Sequence, residues 1–428
     1  MQVDEDNDEG GADFAGRDWL WVCRAVIRDM RIGERSAGIS AGEFTDMEFQ
    51  RAETHIVALY LFLQYRKTPA TWPHHMKLLG LATFFELHRL NQILTCPIPL
   101  QLNDRTKKHR AIKDLDQNWC WTELRWRRED LYRLARQTGL EDGVICRLDN
   151  DAVFPGETVL ICGLYAMAWP LTQEKIAYEF GFSNQSVVSR IISHFCDRIY
   201  HKFIHLIQAE DDDAFEMWTL HAPEFVRRVF NEWPSCPEGM EDCGAFVDGS
   251  ANYTCRPQQR EEHTAQGLDT QRAWYNSYYG NHGQKFQGVL APNGIWMQMY
   301  GPVSIRVHDS PLVISSRLNH KLAWLSENSG ITIKALGDSA YPRRTHLLKH
   351  PSYRMAQKRI VVEWGFGKMQ QLFAVTDFEA HLQVYLNRPA RTYLVCAILC
   401  NMHTCCYGSQ TGRYFRCRPP TLEDYCSM

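Results

Sequence analysis

Three acidic residues in the C-terminal half stand in short, distinctive contexts: Asp248 in GAFVDGS, Asp338 in ALGDSAYP and Glu363 in RIVVEWGFGK. Carboxylate oxygens suit hard divalent cations such as Mg²⁺ or Mn²⁺, and two such cations roughly 3.5–4 Å apart can clamp the attacking and leaving oxygens of a phosphodiester. That chemistry needs no nucleophilic side chain. Asp248 follows Ala245, Phe246 and Val247, and Asp338 follows Ile331, Ile333, Ala335 and Leu336, which predicts a carboxylate at the end of each of two buried strands. Glu363 lies among Val361, Val362, Trp364, Phe366, Met369, Leu372 and Phe373 with Lys358, Arg359 and Lys368 interspersed, a pattern that predicts a helix flanking a sheet. Two strands and a helix would then bring three carboxylates together. Taken singly, Asp248 and Asp338 also fit plain turn positions, because Asp-Gly and Asp-Ser favour turns.

The elements that must position these acids follow from composition and pattern. A chain of 428 residues is long enough for two or three domains. With 45% hydrophobic and 23% charged residues it has the balance of a globular protein, which excludes global disorder. The net charge of −3 gives no overall basic character, so a nucleic-acid partner must be sought in local basic patches. Residues 1–16, with Asp4, Glu5, Asp6, Asp8, Glu9 and Asp13 among glycines, read as a disordered acidic tail. Residues 17–235 carry mainly helical patterns, for example at 52–65 and 78–94, and form an expected helical domain. Residues 236–428 switch to strand-like runs separated by turns and form an expected second domain. Within it, residues 285–301 read as a β-hairpin around Pro292, Asn293 and Gly294. The order strand, hairpin, strand, helix fits a mixed sheet with helices on its faces, so the fold class is α+β.

Residues 171–195 carry a helix-turn-helix pattern, in which Thr172 and Ser183 would cap two helices across a turn at Gly181 and Phe182. Ile176, Ala177 and Phe180 would face Val187, Val188 and Ile191, leaving Asn184, Gln185, Ser186 and Arg190 free to approach DNA. The same pattern also serves as a plain packing unit. The fifteen cysteines form no C-x-x-C pair and follow no secretory signal, which predicts free thiols in a reducing compartment. Their densest group, Cys396, Cys400, His403, Cys405 and Cys406, reads either as a packed C-terminal helix with Leu394, Val395, Ile398 and Leu399 or as a zinc site. No apolar run reaches the roughly 18–20 residues of a membrane span, so no membrane partner is expected.

From LRWRREDLYRLARQTGL at Leu124 through GETVLICGLYAMAWPLTQEKIAYEFGFS, GAFVDGS, YYGNHGQKFQGVLAPNGIW, GPVSIRVHDS, ALGDSAYP and VVEWGFGKM to AILCNMHTCCYG, the chain resembles the PIF/Harbinger group of DDE-superfamily transposases and the nucleases derived from them. The resemblance implies a ribonuclease-H-like catalytic core that uses two divalent metals, Mg²⁺ or Mn²⁺. Such a core cuts DNA at transposon ends and joins the freed 3′-hydroxyl to target DNA. Carried over, Asp248, Asp338 and Glu363 become the catalytic triad, with Asp248 bridging both metals, Asp338 holding one and Glu363 the other. Asp309, beside His308, is a fourth acid such relatives carry; it fits a metal ligand or a cap for the helix beginning after Ser310. The resemblance further implies a nuclear protein, a separate Myb-like DNA-binding partner and a homo-oligomer. Between Asp338 and Glu363 the chain holds Arg343, Arg344, His346, Lys349, His350, Arg354, Lys358 and Arg359 and no acid, a run expected to contact DNA phosphates. Arg256, Arg272, His282 and Lys285 would extend that surface. The two acids are only 25 positions apart (363 − 338 = 25), closer than is usual in such relatives; a helix can deliver Glu363 across a shorter loop, while the shortening could equally tilt it away. A non-catalytic DNA- or protein-binding factor descended from a transposase is the alternative function.

Overall fold

The computed structural model describes residues 111–149, 152–208, 211–232, 241–257, 271–349, 353–378, 382 and 388–428, without the side chains of 212 and 353–357. The expected acidic tail and the helical stretches at 52–65 and 78–94 lie outside the described residues. Residues Asp104–Met428 form one compact unit.

Helix α1 (Arg128–Thr138) leads into a small hairpin of β1 (Ile145–Arg147) and β2 (Val153–Pro155), then α2 (Gly156–Ala168), α3 (Gln173–Phe180), α4 (Gln185–Phe203) and α5 (Ala222–Asn231). Every residue of α2 is buried, as its lack of a polar face dictates. In α4 the apolar positions Val188, Ile191, Phe195, Cys196, Ile199 and Phe203 recur every three to four residues and form its buried stripe.

The main sheet follows. Strand β3 (Cys243–Tyr253) pairs antiparallel with β5 (Asn281–Leu290), which pairs antiparallel with β6 (Trp296–Ser304); the two-residue β4 (Tyr275–Asn276) pairs only the start of β5. Helices α6 (Asp309–Ser315) and α7 (Leu318–Ser329) carry the chain across to β7 (Lys334–Gly337), which runs parallel to β3, and β8 (Leu347–Lys349) runs parallel to β7. The order β6-β5-β3-β7-β8 is a mixed sheet in an α+β fold. Cys243, Ala245, Phe246 and Val247 of β3 are fully buried because α5 and the long helix α8 (Tyr353–Leu372) both pack on this strand. Helices α9 (Pro389–Tyr407), α10 (Gln410–Tyr414) and α11 (Leu422–Ser427) close the unit.

The hairpin expected at 285–301 is formed by β5 and β6, and its turn is closed by Gly294 N–H donating to Ala291 O at 2.9 Å with Gly294 at φ +83°. Beyond it, the Asn401 side chain of α9 accepts from Trp296 N–H at 2.8 Å and donates to Trp296 O at 3.0 Å and to the Tyr425 hydroxyl at 2.9 Å. All of these groups are buried, so Asn401 satisfies strand-edge groups that water cannot reach. Asn401→Leu is expected to destabilise the protein by about 2–4 kcal/mol, because a buried donor and acceptor lose their partners together. A lower urea midpoint with an unchanged m-value would register this; an unchanged midpoint would mean that the strand edge is satisfied another way.

Helices α3 and α4 form the expected pair of caps and apolar faces, with Thr172 Oγ1 accepting from Lys175 N–H at 3.3 Å and Gly181 in the left-handed region at φ +63°. The second cap differs from expectation. Asn184, not Ser183, occupies it, its Oδ1 accepting from Val187 N–H at 3.2 Å. Its side chain is thereby engaged by its own helix rather than left free for a base, whereas Gln185 remains exposed. Arg190 is partly exposed, with Asp149 at 3.7 Å. The cysteine-rich segment is the buried helix α9: Cys396, Cys400 and His403 are inside, their neighbours Leu394, Val395, Ile398 and Leu399 fill the core, and all twelve described cysteines are free thiols.

Candidate active site

Asp248 lies within β3 rather than at its end, since the ladder with β5 continues to Tyr253. Its reading as a turn residue therefore fails. Phe246 of β3 pairs with Leu336 of β7, and Asp248 and Asp338 each follow that pair by two residues, near enough for the Asp338 charge to act on Asp248. Asp338 follows β7 directly, and its Oδ1 accepts from Ala340 N–H at 2.8 Å, so it is a turn residue and the neighbour of Asp248 at once. Ser310 Oγ donates to Ala340 O at 2.8 Å, which ties the start of α6, and with it Asp309, to the Asp338 turn.

The third carboxylate arrives on α8, as its apolar pattern predicts. Arg359, one turn before Glu363, donates from Nη1 to Asp248 Oδ2 at 2.5 Å and from Nη2 to Glu363 Oε1 at 2.8 Å. One guanidinium thus joins the strand acid to the helix acid despite the short Asp338-to-Glu363 connection.

Asp309 does not act as a cap; His308 takes the cap position with no side-chain bond, and Asp309 sits in the first turn of α6. Instead Lys285 Nζ stands 2.8 Å from Asp309 Oδ1. Although close, this ion pair is poorly aligned for a hydrogen bond, and Asp309 Oδ1 is left without a hydrogen-bond donor. A Cβ at Gly249 would lie 2.4 Å from that same oxygen, so only glycine lets β3 pass the acid. The Tyr341 hydroxyl is buried with no hydrogen-bond partner, and burial followed by the charges of Asp309, Asp248 and Asp338 pushes its pKa well above the usual phenol value.

Burial raises the Asp248 carboxyl to about 6, with Arg359 and the Gly249 N–H opposing and Asp338 adding to the rise. Burial also works against the charge on Arg359, but Asp248 and Glu363 outweigh it and raise the guanidinium pKa. The linkage has a definite sign. Folded Asp248 holds its proton more tightly than unfolded Asp, so this residue favours folding most below about pH 4, and the benefit is lost as pH rises through about 6. Between those values wild type is expected to lose roughly 2–3 kcal/mol relative to Asp248→Asn, a shift of about two pH units at 1.36 kcal/mol each. Parallel urea titrations of the two proteins at pH 4 and pH 7 test this, and a difference that does not vary with pH would contradict it.

Several residues expected to meet DNA are engaged inside the protein. Lys285 is only 7% exposed and held by Asp309, because the β5 ladder turns it inward. Lys358 Nζ donates to Glu232 O and the Tyr414 hydroxyl, tying α8 to the end of α5 and to α10. Arg359 is held by the two acids. Arg343, Arg344 and Lys349 are exposed in and after the segment that follows the acidic turn; Arg256 and Arg272 are exposed too, Arg256 beyond the far end of β3. His346 is tied down by Ser326 and by the carbonyl of Ile333. His350 and the Arg354 side chain lie outside the described residues.

The carboxylates here would offer oxygen ligands, the kind Mg²⁺ or Mn²⁺ prefers, but the nitrogens of Arg359 and Lys285 stand against three of them. Arg359 stands as a cation between Asp248 and Glu363, and the buried Asp309 Oδ1, Tyr341 hydroxyl and Arg359 Nε all lack hydrogen-bond partners. Of these, the Asp309 oxygen could ligate a cation, whereas the Arg359 N–H can only donate. The acids are not gathered for a cation as they stand: among the described residues no three His, Cys, Asp or Glu side chains are grouped to hold a metal ion.

A family model described as DDE superfamily endonuclease matches residues 247–401, a span that takes in Asp248, Asp309, Asp338 and Glu363. The match supports a transposase-like nuclease of the DDE type. No curated protein and no solved structure matches the chain. Among the described residues no helix is long and apolar enough to cross a membrane.

Proposed function

We propose that the protein is a divalent-metal-dependent DNA endonuclease of the Harbinger transposase type, with Asp248, Asp338 and Glu363 as its catalytic acids. The observation that carries this reading is the convergence of Asp248 and Glu363 on one guanidinium, with Asp338 in the turn after the neighbouring strand β7. The strand order, three antiparallel strands followed by two parallel to the central one, supports a ribonuclease-H-like core. Asp248, Asp338 and Glu363 would hold Mg²⁺ or Mn²⁺, and the metal would supply charge stabilisation at the scissile phosphate. Asp309, kept near by Lys285, is a further ligand candidate. Withdrawal of Arg359 would free two of the carboxylates, and exposed Arg343, Arg344 and Lys349 would take DNA phosphates beside them. Transposon ends and target DNA as substrates, a nuclear location, a Myb-like partner and a homo-oligomer belong to the same proposal.

Nicking of supercoiled plasmid by the full chain tests it. Cleavage should require Mn²⁺ or Mg²⁺ and vanish in Asp338→Asn; cleavage that survives would remove the acids from the chemistry. A second reading, a non-catalytic DNA-binding factor, is favoured by Arg359 and Lys285 already neutralising Asp248, Glu363 and Asp309. It predicts DNA binding without nicking and without Mn²⁺ uptake at these acids.

A further inference from the structure

Beyond the acids, α8 borders a second feature. A cleft of about 430 Å³ runs along the helix from Glu363 past Gly367 to Gln371, and α9 and α10 form its other wall. Glu363, Gly367 and Gln371 succeed one another at four-residue steps, so they line one stripe of α8 that starts at the acidic site. Half-buried Lys368 also lines the cleft, donating to Thr404 Oγ1 and to Gly408 O, both at 2.7 Å. An ammonium has three donors, so one remains.

Both partners of Lys368 are neutral, and among the described residues no carboxylate pairs with it. Arg413, on the opposite wall, is exposed, and its guanidinium has no hydrogen-bond or carboxylate partner among the described residues. The two cations feel each other: burial first, and the charge of Arg413 among other influences, lowers the Lys368 pKa. Deeper in, His403 is 6% exposed, its Nε2–H donating to Arg125 O at 3.2 Å, while its Nδ1 has no partner. The one carboxylate lining the cleft, Glu363, is held by Arg359 at 2.8 Å, so Lys368 and Arg413 on opposite walls are two cations placed to take an anion.

We propose that this cleft is a phosphate groove for the DNA strand entering the acidic site, holding a phosphodiester that flanks the scissile one between Lys368 and Arg413. The proposal rests on the nuclease reading but is judged on binding rather than cleavage. Gly367 supplies a variant that should preserve the fold. A Cβ built there meets nothing within 4 Å, and leucine is the better helix former, so Gly367→Leu starts a side chain into the cleft from an unhindered position.

The experiment measures affinity of the full chain for a labelled DNA duplex in metal-free buffer, across a series of salt concentrations. Gly367→Leu and Arg413→Gln should each weaken binding about five- to tenfold, and Arg413→Gln should lower the slope of log K against log salt by about 0.9. Lys368→Met should act in the same direction. Unchanged affinity and slope in both Gly367→Leu and Arg413→Gln would overturn the proposal, as would a wild-type chain that binds no DNA. Thermal protection by inorganic phosphate that is lost in Arg413→Gln while DNA affinity is unaffected would also overturn it, by assigning the cleft to free phosphate. Absence of metal-dependent nicking by wild type would sink the nuclease reading alone, because the binding series does not depend on cleavage.

Discussion

Asp338→Asn is expected to lower the proposed metal-dependent nicking at least about a thousandfold, since losing one of the proposed anionic ligands would remove several kcal/mol of charge stabilisation. The fold should survive. Asn keeps the oxygen that accepts from Ala340 N–H, so the turn after β7 and its tie to Ser310 remain. The change also removes a charge that raises the Asp248 pKa, so Asp248 should titrate lower in the variant. Nicking assays beside a ¹³C-detected titration of Asp248 separate these effects. A variant with full activity, or one that is inactive because it is unfolded, would deprive Asp338 of its assigned role.

The second large effect concerns Arg359. Its guanidinium holds Asp248 and Glu363 together and must leave both before a metal can take their oxygens. Arg359→Met keeps much of the stem and deletes the charge. Stability without metal should fall by about 2 kcal/mol, between the value of an exposed pair and that of a buried one, because Arg359 and Asp248 are largely buried while Glu363 is half exposed. Mn²⁺ affinity above pH 7 should rise about tenfold or more, the equivalent of the ~1.4 kcal/mol or more no longer needed to displace a charged hydrogen bond. Urea titration and Mn²⁺ titration by electron paramagnetic resonance give the two readings. Unchanged Mn²⁺ affinity would mean that the guanidinium does not stand where the metal goes.

Much of this arrangement was legible in the residues. The strands before Asp248 and Asp338, the 285–301 hairpin and the helix carrying Glu363 follow from apolar periods and from one Asn-Gly turn. What periodicity misses is which strands become neighbours, because pairing of β3 with β7 is set by a crossover that no local pattern encodes. Arg359 could have been paired with Glu363 from their four-residue spacing on a helix. Its second bond, to Asp248, spans 111 residues and exists only in the folded chain. The basic run misled for a related reason. Charge along a sequence does not say which side chains face inward, and Lys285, Lys358 and Arg359 each found an internal partner.

The clasp between the two ends of the compact unit affects how the protein is made. Arg133 of α1 binds Glu423 through two nitrogens at 2.9 and 2.6 Å, and Arg127 N–H donates to the Tyr407 hydroxyl at 2.8 Å. Arg133 and Glu423 are 290 positions apart. At roughly 5–20 residues per second, α1 therefore waits about 15–60 s on the ribosome for its partner to be synthesised. A chain halted before Thr421 would carry Asp248, Asp338 and Glu363 yet lack the helix whose Glu423 fastens α1. Truncated translation products should thus be prey for chaperones and proteases rather than loose DNA-cutting fragments.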